Sequence, residues 1–392
     1  MYVGNAQAYF PRRGKSSCVR AVDYSHLVKH VFDISLHVKP KDRVWIQSWD
    51  HTLGIAKAVA YECSRRVCPC LLTVRYENVW LQSIVQSSKK QLARITPQEE
   101  SALEETDIFI FTMGPRDPVP WSSIPKEKRG EVCMWLDIRY DKSTYARRWA
   151  SVAKAHKVKM LAIEATLATP QRAKAQGLNY EEWRSDMFGG CIADHKAISR
   201  RAKALAKLMR GESSVRVTTP AGTQLNFKLE GRPVEISDGI STREMVEKGK
   251  VVFLPAGSIE VSVDEESARG RIVYDTAVGL GNEMLEGLAF DLKDGRIQRH
   301  RARGSASFER YLRSGGKEAG RFSFFGFGLN PNMKHGFTQD DKVLGNLTLG
   351  FGGNESIGGK NSAKNQWWAS IGGATVEIDG RRIMKEGRLL NQ

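Results

Sequence analysis

Arg43-Val-Trp-Ile-Gln-Ser-Trp49 is a run of strand-favouring residues, and helix-compatible sequence follows it at once over residues 53–63. Similar short apolar runs recur at residues 71–75, at Asp107-Ile-Phe-Ile-Phe-Thr112, at Val132-Cys-Met-Trp-Leu136 and at Lys159-Met-Leu-Ala-Ile-Glu164. A helical stretch near residues 145–155 separates the last two. Short strands that are apolar throughout, alternating with helices, predict parallel strands covered on both faces. A helix over residues 194–209 closes this half. Its basic side (Lys196, Arg200, Arg201, Lys203, Lys207) reads as a solvated face, and Asp194 as its cap.

After Gly211 the pattern changes. Val215-Arg-Val-Thr-Thr219, the turn Pro220-Ala-Gly-Thr223 and residues 224–229 read as strand, turn and strand. Short β-rich segments separated by glycine then continue to the end, at residues 251–254, 270–275, 288–292, 295–300 and 343–351. The expectation is an α/β domain over residues 1–211 and a mostly antiparallel β-rich domain over residues 212–392. A chain of 392 residues suits two such cores better than one.

Composition narrows the function classes. The hydrophobic share of 41% and the charged share of 27% are those of a globular protein, and no stretch approaches the roughly 20 apolar residues of a membrane helix. The first residues carry no basic segment followed by an apolar run, so a cytoplasmic location is expected. The net charge of +16 invites a nucleic-acid reading. The basic residues are spread along the whole chain, however, with no tail, finger spacing or aromatic–basic interleaving. A generally basic surface, or attraction to an acidic ligand, is the simpler reading. Six cysteines are too few for a disulfide framework. Cys63, Cys68 and Cys70 form C-x4-C-x-C, which is expected to be core packing because cysteine is among the most buried residue types.

Thr219-Pro-Ala-Gly-Thr223, Gly231-Arg232, Leu254-Pro-Ala-Gly257, Gly270 to Asp275, Gly328-Leu-Asn-Pro331, Asp341-Lys-Val-Leu-Gly345 and Gly358-Gly-Lys-Asn361 follow one another at consistent intervals. Together they resemble the aminopeptidase T and aminopeptidase S family of metallo-aminopeptidases, which also takes in the iron-dependent 2,5-dihydroxypyridine dioxygenases. The resemblance covers residues 215–390 well and the first half in general layout. It implies an aminopeptidase T-like fold, a homodimer and an elongated cavity in the β-rich domain.

The resemblance also implies a metal set, and here the chain departs from it. Where the family has its first metal-binding glutamate stands Ser258, and where it has the second stands Phe324. The expected histidine falls on Thr348, and the closing His-x-Asp on Gln366 and Trp368. Two dications about 3.5 Å apart repel by roughly 19 kcal/mol at an effective dielectric near 20. Hydroxyls, an amide and two aromatic rings do not offset that. No metal is therefore expected at these positions, and no cofactor is read from the sequence. The exchange of charged for neutral or aromatic groups suggests either a drier pocket for an organic ligand or a void filled by rings.

The candidate ligand-binding residues are then Ser258, Phe324, Asn330, Thr348, Glu355, Asn361, Gln366 and Trp368. Glu260 lies two residues beyond Ser258 on the same strand face and is a candidate acid or base. Lys360, in a glycine turn beside the aromatic wall, is a candidate base or nucleophile, against the commoner role of an exposed turn lysine. Trp49-Asp50-His51 ends a strand at a helix start, the edge where parallel sheets place ligands, although Asp50 also reads as a helix cap. Three readings follow. One is a pseudoenzyme that binds a peptide or small organic ligand, one a metal-independent hydrolase or lyase, and one a residual aminopeptidase.

Overall fold

The computed structural model describes residues 23–131, 143–280, 283–303 and 305–390. In chain order the strands are β1 (Val44–Trp49), β2 (Cys70–Arg75), β3 (Ile108–Thr112), β4 (Lys159–Ile163), β5 (Glu212–Thr218), β6 (Gln224–Glu230), β7 (Val234–Ser237), β8 (Val251–Leu254) and β9 (Ser258–Ser262). They continue as β10 (Arg269–Val273), β11 (Val278–Leu280), β12 (Glu283–Lys293), β13 (Arg296–Arg303), β14 (Phe322–Gly328), β15 (Leu347–Gly352), β16 (Gln366–Ile371), β17 (Thr375–Ile378), β18 (Arg381–Lys385) and β19 (Arg388–Leu389). The run expected at residues 132–136 lies outside the described residues.

The amino-terminal sheet has the order β2-β1-β3-β4-β8 and is parallel throughout. Alternate residues of its central strands feed two different cores. Val44, Ile46, Ile108, Ile110, Leu161 and Ile163 pack with Ile55, Ala56 and Val59 of the helix Leu53–Arg65. Trp45, Phe109, Phe111, Met160 and Ala162 pack with Tyr145 and Trp149 of the helix Thr144–Ala155. Two-sided coverage is why these runs are apolar at every position.

The second region stacks two antiparallel sheets. One runs β11-β12-β10-β6-β5-β17-β18-β19 with β13 beside β12, and the other runs β16-β15-β14-β9-β7. Between them lies a core of Val215, Phe227, Phe290, Phe325, Phe327 and Phe351, sealed by Ile198, Ala202 and Leu205 of the helix His195–Met209. Asp194 caps that helix, its carboxylate accepting the Ala197 N–H at 2.9 Å. The parallel α/β region followed by an antiparallel β-rich region is the expected fold class.

Two details differ from the sequence reading. β8 joins the parallel sheet beside β4 instead of the antiparallel region, because the helix Arg243–Lys248 carries the chain back across the first domain. β2 has a neighbour on one side only, which leaves Cys70 exposed while Cys63 and Cys68 are buried. Among the described residues no helix is long and apolar enough to cross a membrane.

β8 runs straight into β9 through Pro255-Ala256-Gly257, so the two regions share a continuous seam. Gly257 adopts φ 128°, and a Cβ there would lie 2.6 Å from the Asn330 Cβ. The Asn330 side chain donates to the Ala256 carbonyl at 2.6 Å and to the Gly190 carbonyl at 3.0 Å. Beside it, Lys342 donates to Glu164 at 2.7 Å, with both side chains 9% exposed. Burial alone would push the Lys342 pKa down, but Glu164 and Asp341 outweigh it and raise it. Removing one member of such a pair strands a buried charge. Lys342→Met alone should lose about 3–5 kcal/mol of unfolding free energy, whereas Lys342→Met with Glu164→Gln should lose much less. Denaturant titration of the two variants distinguishes a buried pair from a solvated one.

Candidate functional site

One face of the β7-β9-β14-β15-β16 sheet is spent on the core, through Ile259, Val261, Phe325, Phe327, Leu347, Leu349, Trp367 and Ala369. The two-residue period of a strand therefore sends Ser258, Glu260, Phe324, Thr348, Gln366 and Trp368 to the opposite face. Register aligns them across strands. Glu235, Glu260, Gly326, Thr348 and Ser370 form one row. Ser262, Phe324, Gly350 and Trp368 form the next. The sheet thus assembles all six residues on one surface.

Glycine shapes that surface. The Phe324 ring lies across Gly350, where a Cβ would fall 1.9 Å from Cε1, and it meets Trp368 with centroids 6.4 Å apart. Thr348 and Ser370 share a hydrogen bond of 2.9 Å. Ser258, Glu260, Gln366 and Trp368 are half-buried, whereas Phe324 and Thr348 are buried. The Glu260 carboxyl is pushed up to about 7 by burial, reinforced by repulsion from Asp341 and Glu235 and opposed by Lys250. Lys250 is itself paired with Glu235. The face is therefore an aromatic wall, a strip of hydroxyls and two neighbouring carboxyls, of which Glu235 is paired with Lys250 and Glu260 is pushed up to about 7.

The remaining candidates lie elsewhere. The Lys360 ammonium is exposed and bonded to Glu230 at 3.1 Å, so it is the turn lysine and not a base set against the aromatic wall. Glu355 is exposed on a one-turn helix, Glu355–Ile357. Asn361 is buried and donates to the carbonyls of Gly352 (2.7 Å) and Glu318 (3.1 Å), which pins the turn. Asn330 holds the domain seam. Ser370, two residues beyond Trp368, was readable from strand period alone. Asp341 and Glu235, which set the ionisation of Glu260, come from segments whose proximity no local pattern reveals. His335 is tethered, with 2.8 Å to Asn346 and 3.4 Å to Asp340.

Residues 190–391 match the family model described as NicX: 2,5-dihydroxypyridine 5,6-dioxygenase. Among solved structures, aminopeptidase T (AmpT) of Thermus thermophilus superposes with a TM-score of 0.66 at 17% identity, covering 94% of this chain and 98% of that one. The 2,5-dihydroxypyridine dioxygenase of Pseudomonas putida KT2440 superposes with a TM-score of 0.60 at 14% identity, covering 95% and 99%. No curated protein matches. The fold is thus aminopeptidase T-like, while the family match points to dioxygenases. That match corrects the expectations of a metal-free binding pseudoenzyme and of a metal-independent hydrolase or lyase, and it displaces the residual aminopeptidase.

An iron of the kind the resemblance implies does not fit the five positions that would hold it. Serine, threonine and glutamine are weak neutral donors, two aromatic rings donate nothing, and the Phe324 ring fills the space over Gly350. Among the described residues no three His, Cys, Asp or Glu side chains are grouped closely enough to hold a metal ion.

The packing of Phe324 on Gly350 is directly testable. Gly350→Ala forces the ring to move and should cost about 1–3 kcal/mol by overpacking. Phe324→Leu in the same chain should recover part of that loss. Additive effects of the two changes in thermal unfolding would show that the ring does not lie there.

Proposed function

We propose, because this chain belongs to the NicX (2,5-dihydroxypyridine 5,6-dioxygenase) family, that it is a dioxygenase-type enzyme acting on a small hydroxylated nitrogen heteroaromatic ring. The ring lies on the glycine-flattened face against Phe324 and Trp368, with Ser258, Thr348, Ser370 and Gln366 offering hydrogen bonds to its substituents. Glu260 is the residue that receives the ring hydroxyl proton. A deprotonated hydroxy-heteroaromatic is electron-rich and therefore more readily oxidised than its neutral form.

The observation that carries this reading is Glu260 itself. It is half-buried, stands one strand row from the aromatic wall, and faces Glu235 across the strands, a setting that pushes its carboxyl up to about 7. A general base works best with a pKa close to the operating pH. An ordinary solvated carboxylate would be a poor base for a hydroxypyridine. Partial burial, with repulsion from Asp341 and Glu235, supplies the needed basicity.

The test is oxygen uptake and loss of ring absorbance with 2,5-dihydroxypyridine and related hydroxypyridines, measured both with and without added ferrous iron. Both atoms of labelled oxygen should enter the product. Glu260→Gln should lower kcat/KM by roughly 100-fold or more, within the range of a lost general base. In the parent chain kcat/KM should rise with pH through about 7, and Glu260→Gln should abolish that rise. No ring consumption for any hydroxypyridine would end this reading.

Stability gives an independent check with the opposite sign. A carboxyl whose pKa is raised from 4.5 to about 7 favours the fold in its neutral form. That contribution is complete below 4.5 and is lost as pH climbs through 7. Glu260→Gln should therefore match the parent in acid and exceed it in unfolding free energy above neutrality. Equal stability of the two chains across this pH range would show that Glu260 has an ordinary pKa.

A further inference from the structure

A cavity that shares no residue with the sheet face described above opens at the carboxyl edge of the parallel sheet. In the order β2-β1-β3-β4-β8 the chain leaves β1 to one side for β2 and leaves β3 to the other side for β4. The loops after β1 and β3 therefore part there, and the crevice they leave is where open parallel sheets hold ligands. His51 and Thr52 follow β1, Arg116 follows β3, and Thr166 and Thr169 follow β4. All five line a cavity of about 340 Å³. Its outer wall is one face of the helix Tyr180–Cys191, where Tyr180, Arg184 and Phe188 recur at four-residue spacing.

Three features of this cavity point to one ligand chemistry. First, its lining includes two guanidinium groups and no carboxylate. Among the described residues neither the Arg116 nor the Arg184 guanidinium is in an ion pair; Arg116 meets the Glu77 carboxylate only through its backbone N–H, at 3.1 Å. Second, the His51 side chain is 10% exposed, and both of its ring nitrogens are buried without a hydrogen-bond partner. Its Nδ1 lies 3.7 Å from the Asp50 carboxylate, beyond hydrogen-bond distance. A buried imidazole with nothing to bond is costly unless a ligand completes it. Third, Arg184 is held in place, its guanidinium 5.1 Å over the Phe188 ring and 3.4 Å from the Tyr24 hydroxyl. Tyr24 and Phe188 stand 5.7 Å apart and offer flat apolar surface beside it.

We infer that this cavity binds a small aromatic anion, its charged head held by Arg116 and Arg184 and hydrogen-bonded by His51, its ring against Tyr24, Tyr180 and Phe188. Burial, with the nearby Arg116, lowers the pKa of His51 against the opposing pull of Asp50, which favours the neutral imidazole, able to donate from one nitrogen and accept at the other. The cavity's volume falls within the range of small-molecule sites, which start at about 300 Å³. The head is an oxyanion, carboxylate or phosphate, since a planar guanidinium fork matches either.

Calorimetric titration of the full chain with benzoate, phenyl phosphate, inorganic phosphate and neutral benzamide tests the site. Benzoate or phenyl phosphate should bind one to one, and whichever is tighter identifies the head group. Arg116→Ala removes an exposed side chain without a partner, so the fold should survive. It should weaken binding roughly tenfold to a hundredfold, as should Arg184→Gln. The ring signals of His51 in nitrogen-15 spectra should move on saturation with the anion. Binding of benzamide as tight as that of benzoate, or undiminished binding in both arginine variants, would overturn the inference. Inorganic phosphate binding as tightly as phenyl phosphate would overturn the aromatic part. Absence of binding by every anion into the millimolar range would overturn it entirely.

Discussion

The seam between the two regions rests on a charge taken out of water. Lys342 belongs to the antiparallel half and Glu164 to the end of β4, and each is the other's counter-ion in a setting that would otherwise not tolerate either. The Asn330 amide, tied to Ala256 and Gly190, holds the same seam by hydrogen bonds. Because β8 passes directly into β9, these contacts fix the angle at which the parallel sheet meets the open face of the antiparallel one. Asp341 lies next to Lys342 in sequence and presses electrostatically on Glu260. The segment that joins the domains thereby also helps to set the ionisation of Glu260 on that face.

That face is built by subtraction as much as by addition. Gly326, Gly328, Gly350 and Gly352 leave the sheet without side chains at positions where neighbours would crowd it, and Phe324 settles over one of the vacancies. The outcome is a flat, half-dry platform with hydroxyls along one row and rings along the next. It does not suit a metal held by the five motif positions, because rings and hydroxyls cannot stabilise a dication. Family membership and local donor chemistry thus constrain different parts of the reaction. The first indicates the class of transformation, and the second the proton handling.

The parallel-sheet domain is more than a support. Its carboxyl edge carries a concave surface lined by guanidinium and aromatic groups, at the place where the chain reverses direction across the sheet. The Trp49-Asp50-His51 segment marked this edge in the sequence. Asp50 there lies inside the short helix Asp50–Thr52 and, contrary to the expectation of a cap, accepts only the N–H of the next residue, His51, while His51 itself lines the cavity.

Local pattern determined a great deal about this protein. The continuous apolar runs of β1, β3 and β4, the capped helix after Asp194 and the glycine turns beyond residue 211 dictate a parallel α/β region followed by a β-rich one, because strand period and burial are local properties. The same period placed Ser258 and Glu260 on one face. Only tertiary structure decided what those residues meet. Lys360 found Glu230 on the surface, Asn330 and Asn361 became clamps, and β8 crossed back into the first sheet. The basicity of Glu260 depends on Asp341 and Glu235, which lie far from it in sequence. Electrostatic repulsion and desolvation act through space, and a linear pattern carries no record of the distances on which they depend.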